Sequence, residues 1–199
     1  MFSNSKFIFW GIFETMIRPA VPGDAAASIP LLFLAMREVA VKLTGLDNPR
    51  LSMPIFEALF RRPGNQYSYE NTLLYEDAEG IGGLIIAYDG GRLDELRKPV
   101  LDFIEQSLSY RFQPEDETGP GEYYLDSIAV SPASQGKGIG KQLILAAAER
   151  GKQLGLDFAG LLVSTENPGA QRLYERLGFG VVKTVPFSGG FYYHLQKVL

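Results

Sequence analysis

The chain has 199 residues, 46% of them hydrophobic, a formal charge of -4, one histidine and no cysteine. This length and apolar content fit one domain with a substantial core, and the lack of cysteine excludes a disulfide framework, a thiolate nucleophile and cysteine-ligated zinc or iron–sulfur sites. His194 alone argues against a histidine-built centre, so no metal is expected; there is no basic stripe for nucleic acid, no polybasic arm for a membrane and no run near the ~20 apolar residues of a membrane span, which points to a cytoplasmic protein without nucleic-acid or membrane partners.

Residues 1–15 read as an apolar leader and residues 16–199 as a single domain opening on a short strand at Met16. A helix is expected from about Asp24 to Leu43, with Pro30 in its first turn or at a kink. A shorter helix, "PIFEALFRR", ends before the turn signal "PGN". The stretch "YENTLLYEDAEGIGGLIIAYDGG" reads as two strands joined at Glu79 and Gly80, rich in the β-branched and aromatic residues that suit a sheet. From Arg92 to Arg111, Leu93, Leu96, Val100, Leu101, Ile104 and Leu108 recur at helical spacing, so 92–121 reads as a helical insertion followed by the loop "QPEDETGPGE". The strand "YYLDSIAV" comes next, then "SQGKGIGKQL" and a helix that should bury Ile139, Leu143, Ala146, Ala147 and Leu154. A strand "FAGLLVS", a helix from near Pro168 and two strands around "VVKTVPF" and "FYYHLQKV" close the chain. The order predicts an α/β fold (an α+β mixed sheet) of about six or seven strands flanked by helices.

Gly136, Gly138 and Gly140 stand at alternate positions where a helix begins, although glycine costs about 1 kcal/mol relative to alanine inside one. A strand–turn–helix junction leaves free N–H groups at the positive end of the helix dipole, which suits an anion. Missing side chains let a pyrophosphate approach the backbone, and Lys137 and Lys141 add charge. The bland alternative is a tight turn closing against a sheet. The P-loop spacing is absent, and the dinucleotide pattern G-x-G-x-x-G fails because Lys141 occupies the third glycine position. Gln135, Gly138 and Gly140 satisfy a third pattern, [QR]-x-x-G-x-[GA].

With those residues, "SIAVSPASQGKGIGKQLI" resembles the coenzyme A pyrophosphate motif of the GNAT acetyltransferase superfamily. Downstream, "NPGAQRLYERLGF" resembles the family pattern N-x-x-A-x-x-L-Y-x-x-x-G-F through Asn167, Ala170, Leu173, Tyr174, Gly178 and Phe179. The resemblance covers residues 123–180 closely and leaves 1–15 and 92–121 outside. It implies the GNAT-type acyl-CoA N-acyltransferase fold, in which strands 123–130 and 158–164 are parallel neighbours splayed apart around acetyl-CoA, the acetyl donor. It also implies that the pantetheine arm pairs with Ile128, Ala129 and Val130 like an added strand, with a backbone N–H there holding the oxyanion. By the same resemblance the pyrophosphate lies on Gln135, Gly136, Lys137, Gly138, Ile139, Gly140 and Lys141, while Asn167, Ala170 and Tyr174 line the coenzyme. Tyr174 is then the acid that protonates the departing thiolate, and a primary amine of a small molecule or protein attacks the thioester directly. Similar proteins commonly form homodimers. Local chemistry explains part of the second motif without function, since Asn167 suits an N-cap, Pro168 the first helical position and Gly178 the residue past the last turn; Tyr174 has a core-packing alternative.

An amine with a pKa near 10 is only about one part in a thousand neutral at pH 7, so the site needs a proton acceptor. Asp126 is the candidate in the strand beside the thioester; Glu122, Glu76, Glu70 and a water relay are alternatives. Glu115, Asp116 and Glu117 read as a solvated charge run that could attract a cationic amine, and His194, on one strand face with Tyr192, as a residue bonded to a neighbour or as a base. Acceptor contacts are expected from 24–61, 92–121 and 186–191. Two readings share the coenzyme site: a non-catalytic acyl-CoA binding or sensing domain, and a transferase using a longer acyl donor.

Overall fold

The computed structural model describes residues 16–199, so the expected leader lies outside the described residues. Its elements are β1 (Met16–Pro19), α1 (Ala25–Thr44), α2 (Pro49–Phe60), β2 (Thr72–Asp77), β3 (Gly80–Asp89), α3 (Leu93–Leu108), β4 (Glu122–Val130), α4 (Ile139–Gln153), β5 (Phe158–Ser164), α5 (Pro168–Arg176), β6 (Gly180–Phe187) and β7 (Gly190–Val198). One mixed sheet takes all seven strands in the order β1-β2-β3-β4-β5-β7-β6. Every neighbouring pair is antiparallel except β4 and β5, which run parallel.

That parallel pair is short. Its register covers Glu122↔Phe158, Tyr123↔Ala159 and Tyr124↔Gly160, after which β4 keeps only β3, while β5 keeps β7 as far as Ser164↔Tyr192. The sheet therefore forks at Tyr124 and Gly160. The base of the fork is pinned by Glu122, whose carboxylate reaches across β5 to accept bonds from His194 Nε2 at 2.8 Å and Gln196 Nε2 at 2.7 Å. Gly160 makes this crossing possible, because a side chain there would occupy the space of the Glu122 carboxylate.

Alternation along the strands sends side chains to two cores, one on each face of the sheet. Leu74, Leu84, Ile86, Tyr88 and Tyr124 pack with α1, α2 and α3, where Phe56 meets Phe33 and Tyr67 edge-on at 5.3 and 5.1 Å. Tyr75, Ile85, Ala87, Tyr123 and Leu125 pack with α4. Each fully buried large apolar side chain is worth roughly 1.5–3 kcal/mol over exposure, so both helical layers are held mainly by these faces.

Several local expectations need correction. Helix α2 begins at Pro49, five residues before Pro54, because Asn48 caps it by accepting from Arg50 N at 3.0 Å. The β2–β3 turn is Ala78–Glu79, and Gly80, with φ 105°, already belongs to β3. Pro30 continues α1, and the irregularity falls at Met36 (φ -117°, ψ 21°). In α4, Ile139, Leu143 and Ala147 are buried as expected, but Ala146 is only half-buried and Leu154, just past the helix, is exposed; Ile144, Ala148 and Gly151 complete the buried face.

Candidate active site

The glycine turn lies against one side of the fork. Gly136 and Gly138 both have φ 78°, with open space where a side chain would stand, so the turn presents bare backbone. Gly138 is the N-cap of α4, and no acceptor among the described residues takes the N–H groups of Gly136 to Lys141. Gly140 sits over β4, its missing side chain 3.8 Å from Val130 and 3.9 Å from Ile128. Ile139 is buried against the sheet, whereas Lys137 and Lys141 are exposed; Lys137 Nζ lies 3.8 Å from Glu79. Gln135 donates weakly to the Val130 carbonyl at 3.4 Å. A row of free N–H donors, two lysines and an unpaired strand edge from Ile128 through Ala129 to Val130 make a surface that fits a diphosphate joined to an extended, amide-bearing arm.

On the opposite face the fork opens into a pocket of about 210 Å³. A bulge in β4 shapes its floor: Ile86 pairs with Ser127 and Ala87 with Leu125, leaving Asp126 as the extra residue, so that Asp126 and Ser127 both line the pocket. Asp126 faces Glu117, and two donors bridge the carboxylates. Gln66 Nε2 lies 2.9 Å from Asp126 Oδ2 and 2.8 Å from Glu117 Oε1, and the Tyr88 hydroxyl 3.1 and 3.2 Å from the same two oxygens. Arg97 holds Glu117 and Asp116 from α3, and Ser127 Oγ donates to Asp126 at 2.8 Å. Burial, and next the charge of Asp126, push the Glu117 carboxyl up to about 7; burial likewise raises Asp126. The two carboxyls therefore titrate as a pair, the charge of each opposing ionisation of the other.

The acidic run is thus solvated only in part: Glu115 and Asp116 are exposed as expected, but Glu117 is not. The Glu117 side chain is 8% exposed and that of its partner Arg97 is 9% exposed, while Glu115 accepts from Ser188 N in the β6–β7 turn. The other proposed proton acceptors are occupied elsewhere. Glu122 serves the fork and also accepts from Thr118 Oγ1 at 2.6 Å, Glu76 pairs with Arg18 at 2.6 Å, and Glu70 accepts from Gly64 N at 2.8 Å. His194 is bonded to its neighbour Glu122, as the strand reading expected. All three segments named for acceptor contacts reach the pocket, through Met36 and Val39, Arg97 and Glu117, and Phe187. Gln66, Tyr67 and Arg97 carry no motif, and only an apolar stripe interrupted by a charge at Arg97 signalled any of them.

The second motif lies on the α4 side. Asn167 caps α5, its Oδ1 accepting from Ala170 N at 3.0 Å, and Ala170 packs into the second core. Tyr174 packs edge-on against Phe179, ring centroids 6.0 Å apart. Its hydroxyl bonds no group among the described residues, and burial raises its pKa, which keeps the phenol protonated and free to donate.

A forked mixed sheet with a bare glycine turn on one face and a carboxylate-lined pocket on the other suits an acyltransferase, and the chain belongs to the acetyltransferase (GNAT) family, which residues 49–179 match. Among curated relatives, the mycothiol acetyltransferase of Mycobacteroides abscessus is 44% identical over 69 residues, 35% of this chain and 23% of the relative. That of Gordonia bronchialis is 33% identical over 98 residues, 49% of this chain and 28% of the relative. The matched part is about a quarter of the length of these relatives. A crystal structure of an acetyltransferase superposes with TM-score 0.79 at 30% identity, covering 92% of this chain and 98% of the other. An N-acetyltransferase from Staphylococcus aureus Mu50 shares the fold, with TM-score 0.73 at 22% identity, covering 91% and 99%.

Proposed function

We propose that the protein transfers the acetyl group of acetyl-CoA to a primary amine by direct attack. The observation that carries this reading is the position of the fork, between a glycine turn suited to a diphosphate and a pocket holding a carboxylate pair. Acetyl-CoA supplies the acetyl group as a thioester. The backbone of Gly136 to Lys141 binds its diphosphate, and the free edge of Ile128 to Val130 aligns its arm. Asp126, with Glu117 behind it, accepts the proton that an ammonium must lose before its nitrogen can attack; a positioned acid–base group of this kind contributes about 10²–10⁴ in rate. As the C–S bond breaks, Tyr174 donates a proton to the leaving sulfur; the newly acylated nitrogen sheds its second proton to solvent, and solvent reprotonates Tyr174.

Calorimetric titration with acetyl-CoA in magnesium-free buffer tests the donor site, with saturable binding in roughly the micromolar range, about -8 kcal/mol, as the expected result. Absence of heat at several temperatures and of any melting shift would leave the glycine run a structural turn. Tyr174→Phe should keep that affinity and lower kcat by about 10². Binding without turnover by the unaltered protein across an amine panel would instead identify a sensing domain.

A further inference from the structure

The polar end of the pocket contains two hydroxyls that the protein leaves unspent. Tyr67, 2% exposed, and Tyr124, 4% exposed, both line the pocket, and neither hydroxyl has a hydrogen-bond partner among the described residues. Tyr88, by contrast, contacts both carboxylates. Both oxygens stay open to the pocket rather than sealed in the core, and phenols inside a protein are ordinarily paired, so these two mark where polar atoms of a ligand belong. The charges point the same way. Arg97 is committed to Glu117 and Asp116, and Asp126 forms no ion pair among the described residues. One incoming cation would meet Asp126 and two phenol oxygens able to accept from its N–H groups. This end is also the right one for chemistry, because Asp126 lies on β4 two residues before the unpaired edge.

The rest of the pocket is largely apolar, with Tyr192 its polar exception. Met36, Val39, Leu43, Val100, Leu162 and Phe187 form its walls, and its volume of about 210 Å³ is below the roughly 300–1,000 Å³ of sites for drug-sized ligands. The β6–β7 turn is tied down beside it: Lys42 of α1 donates to both the carbonyl and the hydroxyl of Ser188, while Ser188 N donates to Glu115. A turn fastened to both α1 and the acidic loop holds Phe187 in place against the pocket.

We infer that the acceptor is a small amine bearing one positive charge on an apolar body, its nitrogen held by Asp126, Tyr67 and Tyr124 and its body lodged against α1, Val100 and Phe187. This rests on the acetyltransferase reading. A second ammonium, as in a diamine, would be desolvated against the apolar walls, because Glu38 and Glu166, the acids near Tyr192, are exposed to solvent.

The test measures kcat/KM by thiol release at saturating acetyl-CoA for 2-phenylethylamine, 3-methylbutylamine, 1,4-diaminobutane and a lysine-containing peptide. Either monoamine should exceed the diamine and the peptide by at least about 50-fold. Ala35→Asp places an acid at an exposed pocket-lining position of α1 and should narrow the monoamine-to-diamine ratio by about tenfold or more. Preference for the diamine or the peptide overturns the inference, as does an unchanged ratio in Ala35→Asp. Acetyl-CoA binding measured in parallel separates the two levels. Loss of that binding sinks the acetyltransferase reading, whereas retained binding with no turnover of either monoamine overturns the acceptor assignment alone.

Discussion

Glu117 carries the sharpest test of the carboxylate pair. Its carboxyl is raised from the ordinary 4.5 to about 7, so folding favours its neutral form. The stability that this contributes is present below 4.5 and is lost as pH rises through 7. Glu117→Gln, which fixes the neutral form, should therefore melt close to the unaltered protein at pH 5 and a few °C above it at pH 8. Kinetics should move with it. The rate should climb with pH through an apparent pKa near 7 in the unaltered protein, and Glu117→Gln should shift this limb downward, because Asp126 then titrates without a charged neighbour. A limb that stays in place would remove Glu117 from the proton path. Asp126 was legible because it sits in the strand leading to a recognisable motif. Glu117 was not, because its burial depends on Arg97, 20 residues earlier on the amphipathic helix α3, and a charge embedded among Leu96 and Val100 reads as an ordinary solvent-facing position.

At the scale of elements, what local chemistry encodes was readable and what long-range pairing encodes was not. β5 and α5 have the expected limits, since glycine, asparagine and proline punctuate them directly. The start of α2 was equally signalled by Asn48 and Pro49, but Pro54 drew the boundary to itself. The fork depends on β4 and β5 parting after three rungs, and only the family resemblance anticipated it. The glycine turn permits a controlled experiment. Gly138 and Gly155 have nearly equal φ, 78° and 79°, both with open space around them, and they flank opposite ends of α4. Gly138→Asp and Gly155→Asp should thus incur similar backbone strain, yet only the first puts a carboxylate where a diphosphate would sit. Acetyl-CoA affinity should fall at least about tenfold in Gly138→Asp and hold in Gly155→Asp; equal affinities in calorimetry would relocate the donor site.

Over the whole molecule, the two cores divide the labour. The α4 core carries both motifs, so sequence alone could describe that half of the site. The α1–α3 core carries the pocket, assembled from α1, α3, the acidic loop and the β6–β7 turn, which meet only in three dimensions. The residues proposed to choose an acceptor lie on this second side, outside any short pattern, so a motif search reaches only the glycine turn and the second motif.

The fork also leaves two strand edges bare in the middle of a sheet, a position where β proteins normally keep every edge paired. Such edges recruit strands from other chains and seed aggregation. A molecule lacking its cosubstrate should accordingly be the stickier species. Light scattering during slow heating should begin at a higher temperature with coenzyme A present. ADP, which offers a diphosphate to the glycine turn but no pantetheine arm to the edges, should protect much less. Equal protection by the two would trace the self-association to some other surface.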